Sequence, residues 1–183
     1  MQGQLSEKQR AALQQVVRNR LRGMVQGRKV YDLGAGTCHL SRILLDLGAS
    51  EVVAIDRHPK PDDLPYHQNL RYRQAYFHDL DPITDGVAFL SWPQQYIKEI
   101  VPVVAPADTI VYLGCNTDMS ACGPDEFWEY VQGRELVAHI PSKRNTLLVY
   151  GGPQPEGHRE LVLEERAGLD RSRIYSYSES YEV

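Results

Sequence analysis

Three aspartates, Asp32, Asp56 and Asp79, each stand near the end of a short apolar or aromatic run: VYDLG, VVAID and YFHDL. The first is followed at once by Gly34 and Gly36, and a helix-like run, HLSRILLDLG, begins at His39. A strand that ends in a glycine turn and opens a helix lets backbone approach a ligand without a side-chain clash. The helix N-terminus adds a partial positive charge. A dinucleotide loop needs a third glycine in G-x-G-x-x-G, and His39 holds that place. A phosphate loop needs Gly-Lys-Ser/Thr, which does not follow. What remains is a carboxylate just ahead of two glycines, and that suits a ligand with a cationic amine better than a diphosphate.

Asp56 lies about twenty residues beyond Gly36, where a carboxylate can take both ribose hydroxyls. Asp79 is suited to accept from an exocyclic adenine amine, with the Leu80 N–H expected to be free for a ring nitrogen. Amino acid, ribose and adenine together describe S-adenosyl-L-methionine. Each acid also has a plainer reading. Asp32 can cap its loop, Asp56 can be a solvated strand end, and Asp79 can form a turn before Asp81–Pro82.

The elements that must carry these acids follow from periodicity. A helix is expected over residues 1–26, with Ser6 and Gln9 as a capping box and Leu13, Val16, Val17, Leu21 and Met24 at helical spacing. Lys8, Arg10, Arg18, Arg20 and Arg22 read as its solvated face. Then KVYDLG, EVVAID, LRYRQAYF, GVAFLS and TIVYLG read as strands. Between them lie a helix with Leu40, Ile43, Leu44 and Leu47 on one face, stopped at Gly48, and another with Ile97, Ile100 and Val101. GPDEFWEYV has the proline and acids of a helix start.

Strands alternating with helices imply a parallel sheet covered on both faces. ELVAHIP and NTLLVYG are joined too briefly to be parallel and must form an antiparallel hairpin. The expected fold is therefore α/β: a doubly wound, mostly parallel seven-stranded sheet ending in an antiparallel hairpin. It forms a single domain, with a core over 27–150 and a C-terminal extension over 151–183 read as a short helix and an edge strand or frayed tail.

On these motifs the chain resembles the class I (Rossmann-like) S-adenosylmethionine-dependent methyltransferases. VYDLGAGTCHLSR looks like their glycine-rich first motif, VVAID their acidic second and FHDL their third. The resemblance covers about residues 27–150 and implies that Asp32, Gly34, Ala35, Gly36, Thr37 and Cys38 line the methionine end of the donor. It puts Asp56 at the ribose, and Asp79 with Leu80 at the adenine. Cys38 departs from the pattern, since many members have glycine there.

The acceptor should meet the donor outside the carboxyl ends of the central strands. The fourth strand ends in SWPQQ, similar to the fourth motif of amino-methylating members but in a different order. It is closer to the CWPPY stretch of a group of methyltransferase-like proteins. Ser91 and Trp92 are the catalytic candidates this implies, with core or lid packing as the plainer reading of Trp92. His39, His58, His78 and His139 are bases by residue type alone.

Composition bounds the partners. The 183 residues carry a net charge of −4, which does not indicate a nucleic-acid platform. Cys38, Cys115 and Cys122 form no CxxC pair, no metal site is expected, and no apolar run approaches a membrane span. The expectation is a cytoplasmic methyltransferase with an unassigned acceptor, either a small molecule or a partner-presented substrate. The alternative is a non-catalytic domain that binds S-adenosylmethionine or S-adenosylhomocysteine.

Overall fold

The computed structural model describes residues 18–64, 66–93, 99–115, 123–141 and 145–151. The proposed capping box, Leu13, Val16, Val17, Ile97, Cys122 and residues 152–183 lie outside the described residues. The order of elements is a helix whose described part is residues 18–25 (α1), β1 Lys29–Leu33, α2 His39–Asp46, β2 Glu51–Asp56 and β3 Leu70–Gln74. A 3₁₀ turn, Phe77–Asp79, precedes β4 Val87–Ser91. Then follow α3 Ile100–Val104, β5 Thr109–Cys115, α4 Asp125–Val131, β6 Leu136–Pro141 and β7 Asn145–Tyr150.

Seven strands form one sheet in the order β3-β2-β1-β4-β5-β7-β6. Strands β1 to β5 are mutually parallel, and β7 runs antiparallel to both β5 and β6. The expected parallel sheet with its terminal hairpin is what forms. The central strands are buried on both faces, and their alternation divides the core in two. Val87 and Phe89 of β4 join Val30, Val52 and Val111 under α1 and α2. Ala88 and Leu90 join Leu33, Ile110, Ile100 and Phe127 under α3 and α4.

Leu21 and Val25 anchor α1, while Arg18, Arg20 and Arg22 are exposed, as a solvated face requires. Gly48 ends the α2 region at φ +96°, the left-handed value expected of it. One boundary differs: β3 stops at Gln74, so Ala75, Tyr76 and Phe77 are not strand. Among the described strands β3 is a sheet edge whose Arg71 and Arg73 face solvent, and no described strand lies beyond it to reward further extension.

On the far side of the sheet, Tyr112 of β5 packs edge-on against Trp128 of α4 at 4.7 Å, with Phe127 at 5.9 Å. Arg134, in the turn after α4, is only 1% exposed. Its Nε donates to the Gly151 carbonyl at 2.6 Å and its Nη2 to the Ala107 carbonyl at 2.7 Å. Nη1 donates to the Ala105 carbonyl at 3.0 Å and to the Tyr130 hydroxyl at 2.9 Å. Among the described residues no carboxylate forms a salt bridge with it, so carbonyl dipoles and the Tyr130 hydroxyl offset the buried charge. No described helix is long and apolar enough to cross a membrane.

Candidate functional site

The chain runs β1, β2, β3 toward one edge and then crosses back to lay β4 on the other side of β1. That reversal opens a crevice at the carboxyl ends of β1 and β4, the place where open α/β sheets bind ligands. A cleft of about 380 Å³ lies there, within the size range of small-molecule sites. Gly34, Asp56, Ser91 and Trp92 line it, together with Arg57, His58, Tyr76, Phe77, His78 and Glu99. Four of the sequence-expected residues are thus brought together from three different strand ends.

The glycine loop is built as a receptor for backbone contact. The Gly34 and Ala35 amides donate to the Ile55 carbonyl at 2.8 and 3.0 Å, tying the loop to β2. Gly34 and Gly36 have φ +81° and +51°, and a Cβ on either would meet no atom within 4 Å. Space above the loop is open, and side chains there would narrow it. Cys38 caps α2 at φ +59° with its side chain fully buried beside Ala35 and Ala54. The departure from glycine therefore keeps the backbone conformation that glycine would adopt. Burial and the nearby Asp32 hold the thiol above its ordinary pKa, so it remains a neutral packing group. The Cys38 amide donates to the Ala35 carbonyl at 2.8 Å and so is used within the loop.

Cys38→Gly is expected to shift stability by no more than about 1 kcal/mol, since relief of the left-handed residue offsets the lost packing. Cys38→Val should cost at least about 2 kcal/mol, because a branched side chain tolerates that φ poorly and overfills the site. Urea melts of both variants check the contrast.

Asp32 lies on β1 two residues after Val30, so its side chain shares the α2 face of the sheet. It is 0% exposed and sits under the loop rather than in the cleft wall. Ser41 of α2 donates to its Oδ2 at 2.5 Å, and Oδ1 has no partner among the described residues. Burial pushes the carboxyl up to about 6; the Ser41 hydroxyl opposes this and the Asp56 charge adds to it.

Asp56 is neither a bare strand end nor free. Its Oδ2 accepts from the Gly36 amide at 2.8 Å and its Oδ1 from the His58 amide at 2.9 Å. The carboxylate therefore clamps the glycine loop to the end of β2, and each oxygen retains a lone pair for a hydroxyl in the cleft.

The adenine expectation needs correction. The Leu80 N–H is not free, because it donates to the Phe77 carbonyl at 3.1 Å and closes the 3₁₀ turn. Asp79 is exposed, lies 3.6 Å from His78 Nε2 and does not line the cleft. After the early end of β3, Tyr76 and His78 instead line the cleft as an exposed stacked pair, ring centroids 5.4 Å apart at 13°.

Ser91 ends β4, and Trp92 follows at φ +46°, its amide donating to the Leu113 carbonyl at 2.7 Å. A left-handed tryptophan is a strained conformation. It leaves the ring 48% exposed and lining the cleft, so Trp92 is not core packing. His139 lies on β6, where it contacts Thr146 Oγ1 at 3.0 Å, and is not among the cleft residues.

No family model and no curated protein matches the chain. Solved structures do. A candidate RNA methyltransferase of Pyrococcus horikoshii is similar at TM-score 0.58 and 16% identity, over 79% of this chain and 83% of that one. The ribosomal protein L11 methylase of Lactobacillus delbrueckii subsp. bulgaricus is similar at TM-score 0.55 and 13% identity, over 82% and 81%. The 1,6-didemethyltoxoflavin-N1-methyltransferase of Burkholderia thailandensis, solved with S-adenosylhomocysteine, is similar at TM-score 0.54 and 13% identity, over 83% and 92%. At such identities the likeness speaks to architecture, and the three named acceptors differ in kind. The chain has the class I, Rossmann-like fold of the S-adenosylmethionine-dependent methyltransferases.

Proposed function

We propose that the chain is an S-adenosylmethionine-dependent methyltransferase with its donor site in the β1–β2–β4 cleft. The observation that carries this reading is the convergence of Gly34, Asp56, Ser91 and Trp92 on one cleft at the topological switch point. The open space above Gly34 and Gly36 and the oxygen of buried Asp32 that has no hydrogen-bond partner among the described residues fit a donor with an amino-acid arm. When bound, S-adenosylmethionine supplies a methyl group on a cationic sulfur.

The chain's own residues would bind and orient. Asp56 would take the ribose hydroxyls, and the Tyr76–His78 stack, rather than Asp79 and Leu80, would flank the base. Ser91 and the Trp92 ring would meet the acceptor, a small molecule or a group presented by a partner. Methyl transfer neutralises charge at the sulfur, so positioning supplies much of the rate.

Calorimetry with S-adenosylmethionine, S-adenosylhomocysteine and NAD tests the donor site, and binding of the first two alone is expected. Binding of NAD but neither methyl compound would overturn the reading. Labelled-methyl transfer to nucleic-acid, protein and small-molecule pools then tests the activity, and binding without any transfer would leave a ligand-binding domain. Asp56→Ala should weaken S-adenosylhomocysteine at least tenfold, about 1.4 kcal/mol, because it removes a ribose acceptor and unclamps Gly36. Unchanged affinity would remove Asp56 from the site.

A further inference from the structure

We propose that the open edge of β6 is the surface through which two copies of this chain pair, antiparallel and about a two-fold axis. The pairing does not depend on the donor site. The two ends of the sheet are finished differently. At one end β3 carries Arg71 and Arg73 toward solvent, and such charges keep a further strand off an edge. At the other end β6 pairs, among the described strands, with β7 alone. From Leu136 to Ile140 its sequence, LVAHI, holds no lysine, arginine, aspartate or glutamate. A bulge between Leu136 and Ala138 breaks its register with β7, and Leu136 and Val137 are 47% and 51% exposed. An uncharged edge that shows apolar side chains to water is a template for another strand.

The charges at the two ends of β6 select that strand. Glu135 stands directly before it, and Lys143 and Arg144 follow shortly after its last residue, Pro141. A strand with an acid at one end and bases at the other is complementary to its own reversed copy. Pairing about His139 sets Val137 opposite Pro141 of the second copy and Ala138 opposite Ile140 of the second copy. It also brings Glu135 opposite Lys143 at both ends. Opposite charges across a strand pair stabilise it, and like charges directly opposite destabilise it. A parallel copy would stack acid on acid and base on base. The same two-fold pairing centred on Tyr72 of β3 would set arginine against arginine.

At the centre His139 meets its own copy. Its ring contacts Thr146 Oγ1 of β7 at 3.0 Å, and partial burial lowers its pKa. Both imidazoles are therefore neutral near pH 7 and tolerate each other. Strands β5, β7 and β6 already alternate in direction, so a reversed β6 continues the pattern into one sheet across both copies. An isologous contact of this kind closes on itself. The joined sheet then ends at β3 on both sides, which is the guarded edge.

Sedimentation of the full chain from roughly 1 to 100 μM reads the association, and the mass should double across that range. Glu135→Lys should raise the dimer Kd at least about tenfold, and so should Lys143→Glu. The double variant should return to within about threefold of the wild type, because the pairs re-form with their signs exchanged. Urea melts at about 1 μM, where each protein is monomeric, should coincide and show that folding is unaltered. Hydrogen exchange of residues 136–141 should slow at least about tenfold between roughly 1 and 100 μM. A chain that stays monomeric would overturn the inference, as would a dimer indifferent to Glu135→Lys or a double variant as weak as the single ones. Protection of residues 136–141 that does not change with concentration would also overturn it, since the edge would then belong to a segment of the same chain.

Discussion

Arg134→Met is expected to lower the free energy of unfolding by about 3–5 kcal/mol. The guanidinium holds the Ala105 and Ala107 carbonyls after α3, the Gly151 carbonyl after β7 and the Tyr130 hydroxyl of α4. A methionine fills the space but leaves those oxygens without their charged donor. Each such bond contributes about 1.5–3 kcal/mol, and as a network they do not simply add. Arg134→Lys should recover only a fraction, because an ammonium cannot reach three separated carbonyls in the planar fork that arginine provides. Urea denaturation measures both, and a loss below about 1 kcal/mol for the methionine variant would show that the surrounding loops, not Arg134, hold this end of the sheet. Donor binding should persist wherever the variant is folded, since the clamp lies on the α3–α4 side.

Asp32→Asn should have the opposite sign on stability and a severe effect on binding. An acid whose folded pKa is about 6 against 3.8 for an unburied one keeps its proton better in the fold than in the unfolded chain. Its contribution to stability is present at low pH and is lost as pH rises from about 4 through about 6, a cost near 3 kcal/mol at pH 7.5. The asparagine carries no charge to bury. The variant should be more stable than the ligand-free wild type by about 1–3 kcal/mol at pH 7.5, and about equal to it at pH 4. S-adenosylhomocysteine affinity should fall at least tenfold at pH 7.5, as the charge proposed to meet the ammonium is gone. Denaturation curves at the two pH values decide the first part; the same pH dependence in both proteins would place the ionisation elsewhere. This is the trade expected where a binding group is held in an environment that disfavours it.

Most of the fold was legible because it rests on local signals. The strand–helix alternation, the stop at Gly48 and the brief join between ELVAHIP and NTLLVYG each have one good structural solution. The convergence of Gly34, Asp56, Ser91 and Trp92 on one cleft was legible because all four sit at strand ends. The site was misread where tertiary context decides. LRYRQAYF carries strand propensity to its end, yet the edge position of β3 releases the chain after Gln74, and Tyr76–His78 enter the cleft in place of Asp79 and Leu80. Asp32 stands out by type, but only the packing of α2 shows that its carboxylate is buried with the Ser41 hydroxyl on it. No spacing rule pairs a strand aspartate with a serine in the next helix. Arg134 drew no notice at all, because a lone arginine after a helix reads as solvated until the three carbonyls around it are in place.

The strand order bears on how the chain leaves the ribosome. Synthesis runs from the N-terminus, and β6 emerges before β7, yet among the described strands β6 pairs with β7 alone. Until residues 145–150 have emerged, β5 is an open edge carrying Ile110, Val111 and Tyr112, and β6 has nothing to pair with. The last described strand is thus the wedge that completes the sheet. A nascent chain halted before it would present one of its most apolar strands, unpaired, to whatever lies nearby.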